Sequence, residues 1–425
     1  MLNKKIATLK NNRNILNNIF SLLVLQGSKY IIPLILLPYL VRTLGIETFG
    51  LLAFITATLG ILRGIVSYGF DFSGTKQISL EQGNKNKISE IFSSIIFAKL
   101  FISIIAFLIL CILYLLIDKI QENFIIFIFG FLIVFGEVIF PSWFFQGIEK
   151  MKIITYLTII YKFIFMVLVI LTVKSNEDLY LVLLLDSIGS ILIGIYSIFY
   201  VSKHYKINIY IPKSNQIYFQ LKNGWHIFLS RITVILYSTF NTFLLGILTT
   251  NELVGIYSLA EKIYLALKSL LNPFVQAFFP YLTKRFKENQ ILYYKLIKQL
   301  LFISFFIILI ISSMTYGFSK EIIELIAGKY IEGSTDILKI FSLSLLFSTN
   351  SFFTIFLMIK SKERDLTKIT MFLFLINIIL VFPVIEFFSI YGLAYLFLLV
   401  QIIQTILQYF YNIEIFKNKY IKGKD

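Results

Sequence analysis

"FIIFIFGFLIVFGEVIFPSWFFQGIEKMK", residues 124–152, carries one charged side chain, Glu137, before Gly147 and then closes in mixed charge. An apolar run of about 20 residues is the length that crosses a ~30 Å hydrocarbon core as a helix. Trp143 and the neighbouring Phe residues read as an aromatic belt where this helix reaches the inner interface. Gly147 then weakens the helix, and Lys150 and Lys152 serve as cytoplasmic anchors. Pro141 predicts a kink one turn before the exit.

Such blocks recur along the whole chain of 425 residues, of which 58% are hydrophobic and only 15% charged. Mean hydropathy is +0.84. Soluble chains are about a quarter charged and set their apolar residues in stripes. A segment in lipid must satisfy its own backbone hydrogen bonds, so the expected class is an all-α polytopic membrane protein. A barrel would need short alternating strands, and the sequence shows none. Windows of about 19 residues place about twelve spans. They lie near 15–41, 49–70, 90–117, 124–146, 153–173, 179–201, 222–248, 253–281, 294–317, 337–359, 367–389 and 392–414. The first run is too long for a signal-peptide core and reads as an uncleaved helix.

Charge in the connections gives the orientation. The N-terminus, the even-numbered loops and the C-terminal tail hold 26 Lys and Arg, whereas the odd-numbered loops hold six: Arg42, Lys119, Lys174, Lys320, Lys329 and Lys339. Basic loops stay in the cytoplasm, which puts both termini there and predicts a multi-pass membrane protein. The same loops account for most of the +16 net charge without nucleic acid as a partner.

Transporters are commonly built from repeated halves. "IETFGLLAFI" from Ile46 aligns with "NELVGIYSLA" from Asn251, an offset of 205 (251 minus 46) that sets Glu47 on Glu252, Gly50 on Gly255 and Arg63 on Lys268. The expected division is an N-terminal lobe 1–201, a cytoplasmic linker 202–221 and a C-terminal lobe 222–425 with a basic tail.

Cations inside the spans carry the functional argument, since each costs roughly 2.5–3.5 kcal/mol at a helix centre and so faces a cavity or a partner. Lys29, Arg63, Arg231, Lys262 and Lys268 fall in the first two helices of each half, where Glu261 is the one acid well inside and Asp71 lies at an inner end. A surplus of positive charge suits an anion. Tyr257, Glu261, Tyr264, Lys268 and Asn272 follow one another at helical spacing and share a face, as do Arg231, Ser238 and Thr242. Glu137, Asp186 and Lys162 read either as structural pairs or as a proton relay, because desolvation raises a carboxyl's proton affinity. With Glu261, the first two are the candidates for ion coupling. Lys99 lies within three turns of the inner end and reads as a snorkelling side chain. No acidic cluster marks a sodium site; Asn241 and Asn377 are the nearest polar groups.

Enzyme chemistry finds little to work with. Cys111 is the sole cysteine and sits in an apolar helix, and His204 and His226 have no ligand cluster, so neither a metal nor another cofactor is expected. "AGKYIEGST" at 327–335 lacks phosphate-loop spacing. The largest outer loop, about residues 318–336, is too short for a substantial catalytic domain.

"LPYLVRTLGIETFGLLAF" (37–54), "PSWFFQGIEKMKIITY" (141–156) and "IIELIAGKYIEGSTDILKIFSLS" (322–344) resemble segments of bacterial polysaccharide-repeat flippases. These are the O-antigen (Wzx-type) branch of the multidrug/oligosaccharidyl-lipid/polysaccharide exporter superfamily. The resemblance implies two six-helix lobes around a central cavity and an undecaprenyl-pyrophosphate-linked oligosaccharide as substrate, with the prenyl tail among membrane lipids. It also implies alternating access, H+ or Na+ as coupling ion, and work alongside a polysaccharide polymerase and chain-length machinery. On this reading Lys29, Arg63, Arg231, Lys262 and Lys268 bind the head group, while Tyr257, Tyr264 and Asn272 meet sugars. Two rivals are a membrane-embedded polymerase or ligase and a multidrug cation exporter of the same fold; the first would need a larger outer loop, the second an acidic cavity.

Overall fold

A computed structural model describes residues 2–270, 278, 282–286, 288–360 and 362–412, with side chains from residue 32 onward except 230, 234, 237, 238 and 363. Among the described residues every regular element is helical. The first half runs α1 (Leu2–Ser67), α2 (Phe70–Leu80), α3 (Lys85–Leu116), α4 (Asp118–Glu122), α5 (Phe124–Ile139), α6 (Ser142–Gly147), α7 (Met151–Thr172) and α8 (Leu179–Tyr205). The second runs α9 (Ser214–Leu248), α10 (Asn251–Ser269), α11 (Gln290–Gly317), α12 (Ser319–Ala327), α13 (Glu332–Leu345), α14 (Asn350–Ile359) and α15 (Glu363–Tyr411).

Eight stretches are long and apolar enough to cross a membrane. Two of them, Ile32–Leu80 and Arg364–Tyr411, exceed one crossing, at 49 and 48 residues. Each contains a break: Gly45 at φ 77° interrupts α1 and Ser389 at φ 52° interrupts α15. A straight helix of α1's 66 residues would run about 100 Å, three times the hydrocarbon thickness. With α9 and α10 added, the set is compatible with the expected twelve.

The helices form two compact units. One comprises Met1–Ile32 with Leu52–Phe243, the other Pro33–Leu51 with Leu244–Asp425. In the first unit α5 packs along α8, α2 on α6, α7 on α8 and α3 on α5. Between Tyr205 and Ser214 the chain is extended and clipped to α3, where the Asn208 and Tyr210 N–H groups donate to the Ser89 and Ser93 hydroxyls at 3.1 and 3.2 Å. Of residues 202–221, those up to Tyr205 lie in α8 and those from Ser214 in α9.

The motif at 140–152 differs from the interfacial belt. Trp143, Phe144 and Phe145 are all buried, Trp143 at 0% exposure, against Phe92 and beneath Gly74 of α2. The Thr75 hydroxyl donates to the Trp143 carbonyl at 3.1 Å and the Ser142 hydroxyl to the Asp71 carboxylate at 2.9 Å. These aromatic rings join α2 to α6 rather than meeting headgroups, because the chain breaks at Phe140–Pro141 and folds the short helix inward. The predicted kink lies at that break.

The second unit is built around α13, which packs on α10, α11 and α15. Its aromatic core includes Tyr293, Phe352, Phe353 and Phe356. Its buried polar groups are amides and hydroxyls: Asn350 donates to Gln401 at 3.0 Å, Gln408 to Thr354 at 3.1 Å, Ser312 to the Ser342 carbonyl at 2.6 Å and Ser334 to the Ile256 carbonyl at 2.9 Å.

Within that unit the two glycines matched by the sequence repeat meet. A Cβ on Gly50 would fall 1.8 Å from the Asn251 carbonyl oxygen, and one on Gly255 would fall 2.0 Å from that of Ile46. The offset of 205 converts one contact into the other (46 to 251, 50 to 255), which is the reciprocity of a two-fold contact. Only glycine lets the two backbones approach this closely.

Candidate functional site

Proline 141 explains much of the polar cluster in the first unit. In a continuing helix its N–H would bond the carbonyl of residue 137, but proline has none to give. Lys99 of α3 fills the place: its Nζ donates to that carbonyl at 2.9 Å and lies 3.8 Å from the Glu137 carboxylate. The Lys99 side chain is 1% exposed. It does not snorkel outward, because its ammonium is turned onto Glu137 of α5.

The second carboxylate oxygen of Glu137 lies 3.3 Å from Nη2 of Arg63. Arg63, expected to belong to a surplus of positive charge, therefore has an acid partner supplied from a neighbouring span of its own unit. A second group lies on α7 and α8, where Lys162 Nζ is 2.7 Å from the Asp186 carboxylate and 4.6 Å from the centre of the Tyr161 ring. The Tyr161 hydroxyl donates to the same carboxylate. The Asp186 carboxylate also acts electrostatically on Arg63. Counting Arg63, Lys99 and Lys162 against Glu137 and Asp186, this membrane-depth cluster carries a formal charge of +1 (three minus two).

Arg231 of α9 is exposed, with its guanidinium 4.5 Å above the Phe72 ring. Thr242, expected on the same stripe, is buried, while the Ser238 side chain lies outside the described residues. So do the Lys29 side chain and Asn272.

In the second unit, α10 carries the remaining candidates. Lys262 is exposed beside half-buried Glu261, and Lys268 Nζ lies 5.6 Å from the centre of the Tyr264 ring. Tyr257 and Tyr264 are at 0% and 1% exposure, edge-on or tilted to Phe341 at 5.5 and 5.4 Å, with Phe397 at 5.2 Å from Tyr264. Tyr257 and Tyr264, the rings expected to meet sugars, are thus packed in the aromatic core of this unit. Asn241 and Asn377, the polar groups weighed for sodium, are both buried.

One basic residue of the odd-numbered loops has a defined task. The Arg42 guanidinium donates to the Leu325 carbonyl and, at 3.1 Å through Nε, to that of Ile326, capping the C-terminal end of α12. In the short α4, burial holds the Lys119 ammonium below its usual pKa, opposed by Glu122. Among the described residues no three His, Cys, Asp or Glu side chains gather as metal ligands.

Comparison with known proteins adds the lineage. Residues 15–286 match the family described as "Polysaccharide biosynthesis protein". The chain belongs to this family. It is similar to the "Putative O-antigen transporter" of Escherichia coli (strain K12), 29% identical over 93% of this chain and 96% of that one. A second "Putative O-antigen transporter", from Shigella dysenteriae, is 34% identical over 63% of this chain and 67% of that one. Among solved structures, the fold is that of an inward-facing multidrug resistance MATE family transporter of the MOP superfamily (TM-score 0.69, 13% identity, 95% of this chain and 96% of that one). It is equally that of the lipid II flippase MurJ in an inward closed conformation (TM-score 0.68, 14% identity, 96% and 92%). The family member described here is thus an all-α, multi-pass membrane protein with the exporter-superfamily fold.

Proposed function

We propose that this protein is a flippase that carries an undecaprenyl-pyrophosphate-linked oligosaccharide from the inner to the outer leaflet of a bacterial inner membrane, for O-antigen or another surface polysaccharide. The observation that carries this reading is likeness to the Escherichia coli "Putative O-antigen transporter" along 96% of that protein's length. Charge supports it: a diphosphate cannot enter hydrocarbon alone, and cations held at membrane depth offset its desolvation. Lys29, Arg63, Arg231, Lys262 and Lys268 are the head-group residues in this reading. Arg63 keeps a side chain 47% exposed while paired with Glu137, so a phosphate oxygen can replace the carboxylate it shares with Lys99. The multidrug cation exporter is disfavoured because the first unit's cluster has a positive balance.

Transport proceeds by alternating access of an N-terminal lobe, 1–201, and a C-terminal lobe, 222–425, joined at 202–221, with both termini cytoplasmic. A membrane potential negative inside favours outward movement of the pyrophosphate by about 2.3 kcal/mol per charge per 100 mV. Glu137 and Asp186, each already tied to cations, and Glu261 on α10 are the groups through which H+ or Na+ would couple. A polymerase and chain-length machinery would take the repeat units on the outer side.

The test is a deletion strain complemented in trans. Loss of flipping strands single lipid-linked repeats on the inner leaflet, whereas loss of polymerisation leaves them outside; the second outcome overturns the proposal. Complementation by R231Q/K262Q/K268Q is expected to restore less than a tenth of the surface polysaccharide given by the unaltered chain.

A further inference from the structure

At the lysine-rich end of the first unit, where α2 ends and α3 and α9 begin, lies a cavity of about 440 Å³. None of the cations assigned to the head group lines it. Gln77 and Gln220, 143 residues apart, exchange two hydrogen bonds across its wall, at 2.8 and 3.0 Å. Gln220 is only 3% exposed. Asn223 continues the amide stripe one turn along α9, Glu81 and Glu90 also line the cavity, and Phe219, 54% exposed, supplies an apolar face.

We propose that this cavity is a sugar subsite, separate from the pyrophosphate cations, which holds neutral hydroxylated rings of the oligosaccharide before translocation. A primary amide has two N–H donors and an oxygen with two lone pairs. The mutual pair uses one donor and one lone pair of each glutamine, which leaves a donor and an acceptor on each at fixed separation. Adjacent ring hydroxyls, which both donate and accept, match that pattern. Carboxylates accept further hydroxyl protons, and an exposed phenyl covers the C–H face of a ring. Phosphate is the wrong ligand here: two carboxylates repel it, and Lys87, the cation at the rim, is held by Glu90 at 3.0 Å.

The inference rests on the flippase reading for the identity of the sugar, and the fold supplies a reporter for testing it. Trp225 lies two residues beyond Asn223 and is 46% exposed, whereas the other tryptophan, Trp143, is buried. The purified full chain is titrated with lipid-free oligosaccharide released by mild acid from the host's surface polysaccharide, and with inorganic pyrophosphate in parallel. A saturable Trp225 fluorescence change with the oligosaccharide and none with pyrophosphate is expected. Gln77→Ala and Asn223→Ala should each weaken sugar binding at least tenfold. No saturation, or wild-type binding by both amide variants, overturns the proposal. Cells separate the two readings: if only the subsite is wrong, both amide variants restore full surface polysaccharide to a deletion strain that strands lipid-linked repeats inside. If the flippase reading is wrong, that strain strands none, whatever the titration gives.

Discussion

The two units bury polarity in different currencies. In the first, Lys99, Arg63 and Lys162 sit with Glu137 and Asp186, so charge is matched by charge. In the second, Asn350, Gln401, Gln408 and Ser312 bond one another and nearby carbonyls, so the interior is polar but largely neutral. The two units have filled their interiors by different chemistry. An amide or hydroxyl, once hydrogen-bonded, has little further electrostatic reach. An ion pair with an extra cation keeps a field that an anionic ligand can use, at the cost of a large penalty when one partner is lost.

The largest expected effect is therefore on Glu137. Removing its carboxylate in Glu137→Ala leaves Lys99 buried without its acid and should destabilise the chain by about 3–5 kcal/mol, measured as thermal unfolding in detergent. The double variant Lys99→Met/Glu137→Leu should recover most of that loss, because the charge and its counter-charge go together. If Glu137→Ala costs no more than a neutral deletion, the contrast between the units breaks.

That neutral deletion is Asn350→Ala, which takes from Gln401 a buried donor at 3.0 Å. It should cost about 1–3 kcal/mol by the same measurement, and replacing both partners with apolar residues of similar shape should reduce the cost. The smallest effect belongs to the exposed pair Lys87–Glu90 at 3.0 Å, where Lys87→Ala should change stability by about 0–1 kcal/mol. A larger change there would mean that exposure misjudges the first unit's ionic contacts.

The membrane-helix architecture was readable because hydropathy acts over whole spans and tolerates local error. The same averaging blurred single side chains. Trp143 was expected at an interface because tryptophan next to lysine is common there, yet the inward turn at Pro141 buries it. Tyr257 and Tyr264 shared a polar stripe on paper, but which side of α10 faces Phe341 and Phe397 depends on helices far along the chain. Arg63 looked unpartnered because its acid comes from α5, 74 residues away.

Sequence by itself determined the helical membrane class and the repeat offset of 205 (251 minus 46) that brings Gly50 and Gly255 together. Both follow from hydrophobic length and helical period, which are local properties. Tertiary structure alone decided which charges are matched and which rings are buried. It also decided that a proline's missing N–H would give Lys99 its place, since those outcomes depend on distances between residues that the chain keeps far apart.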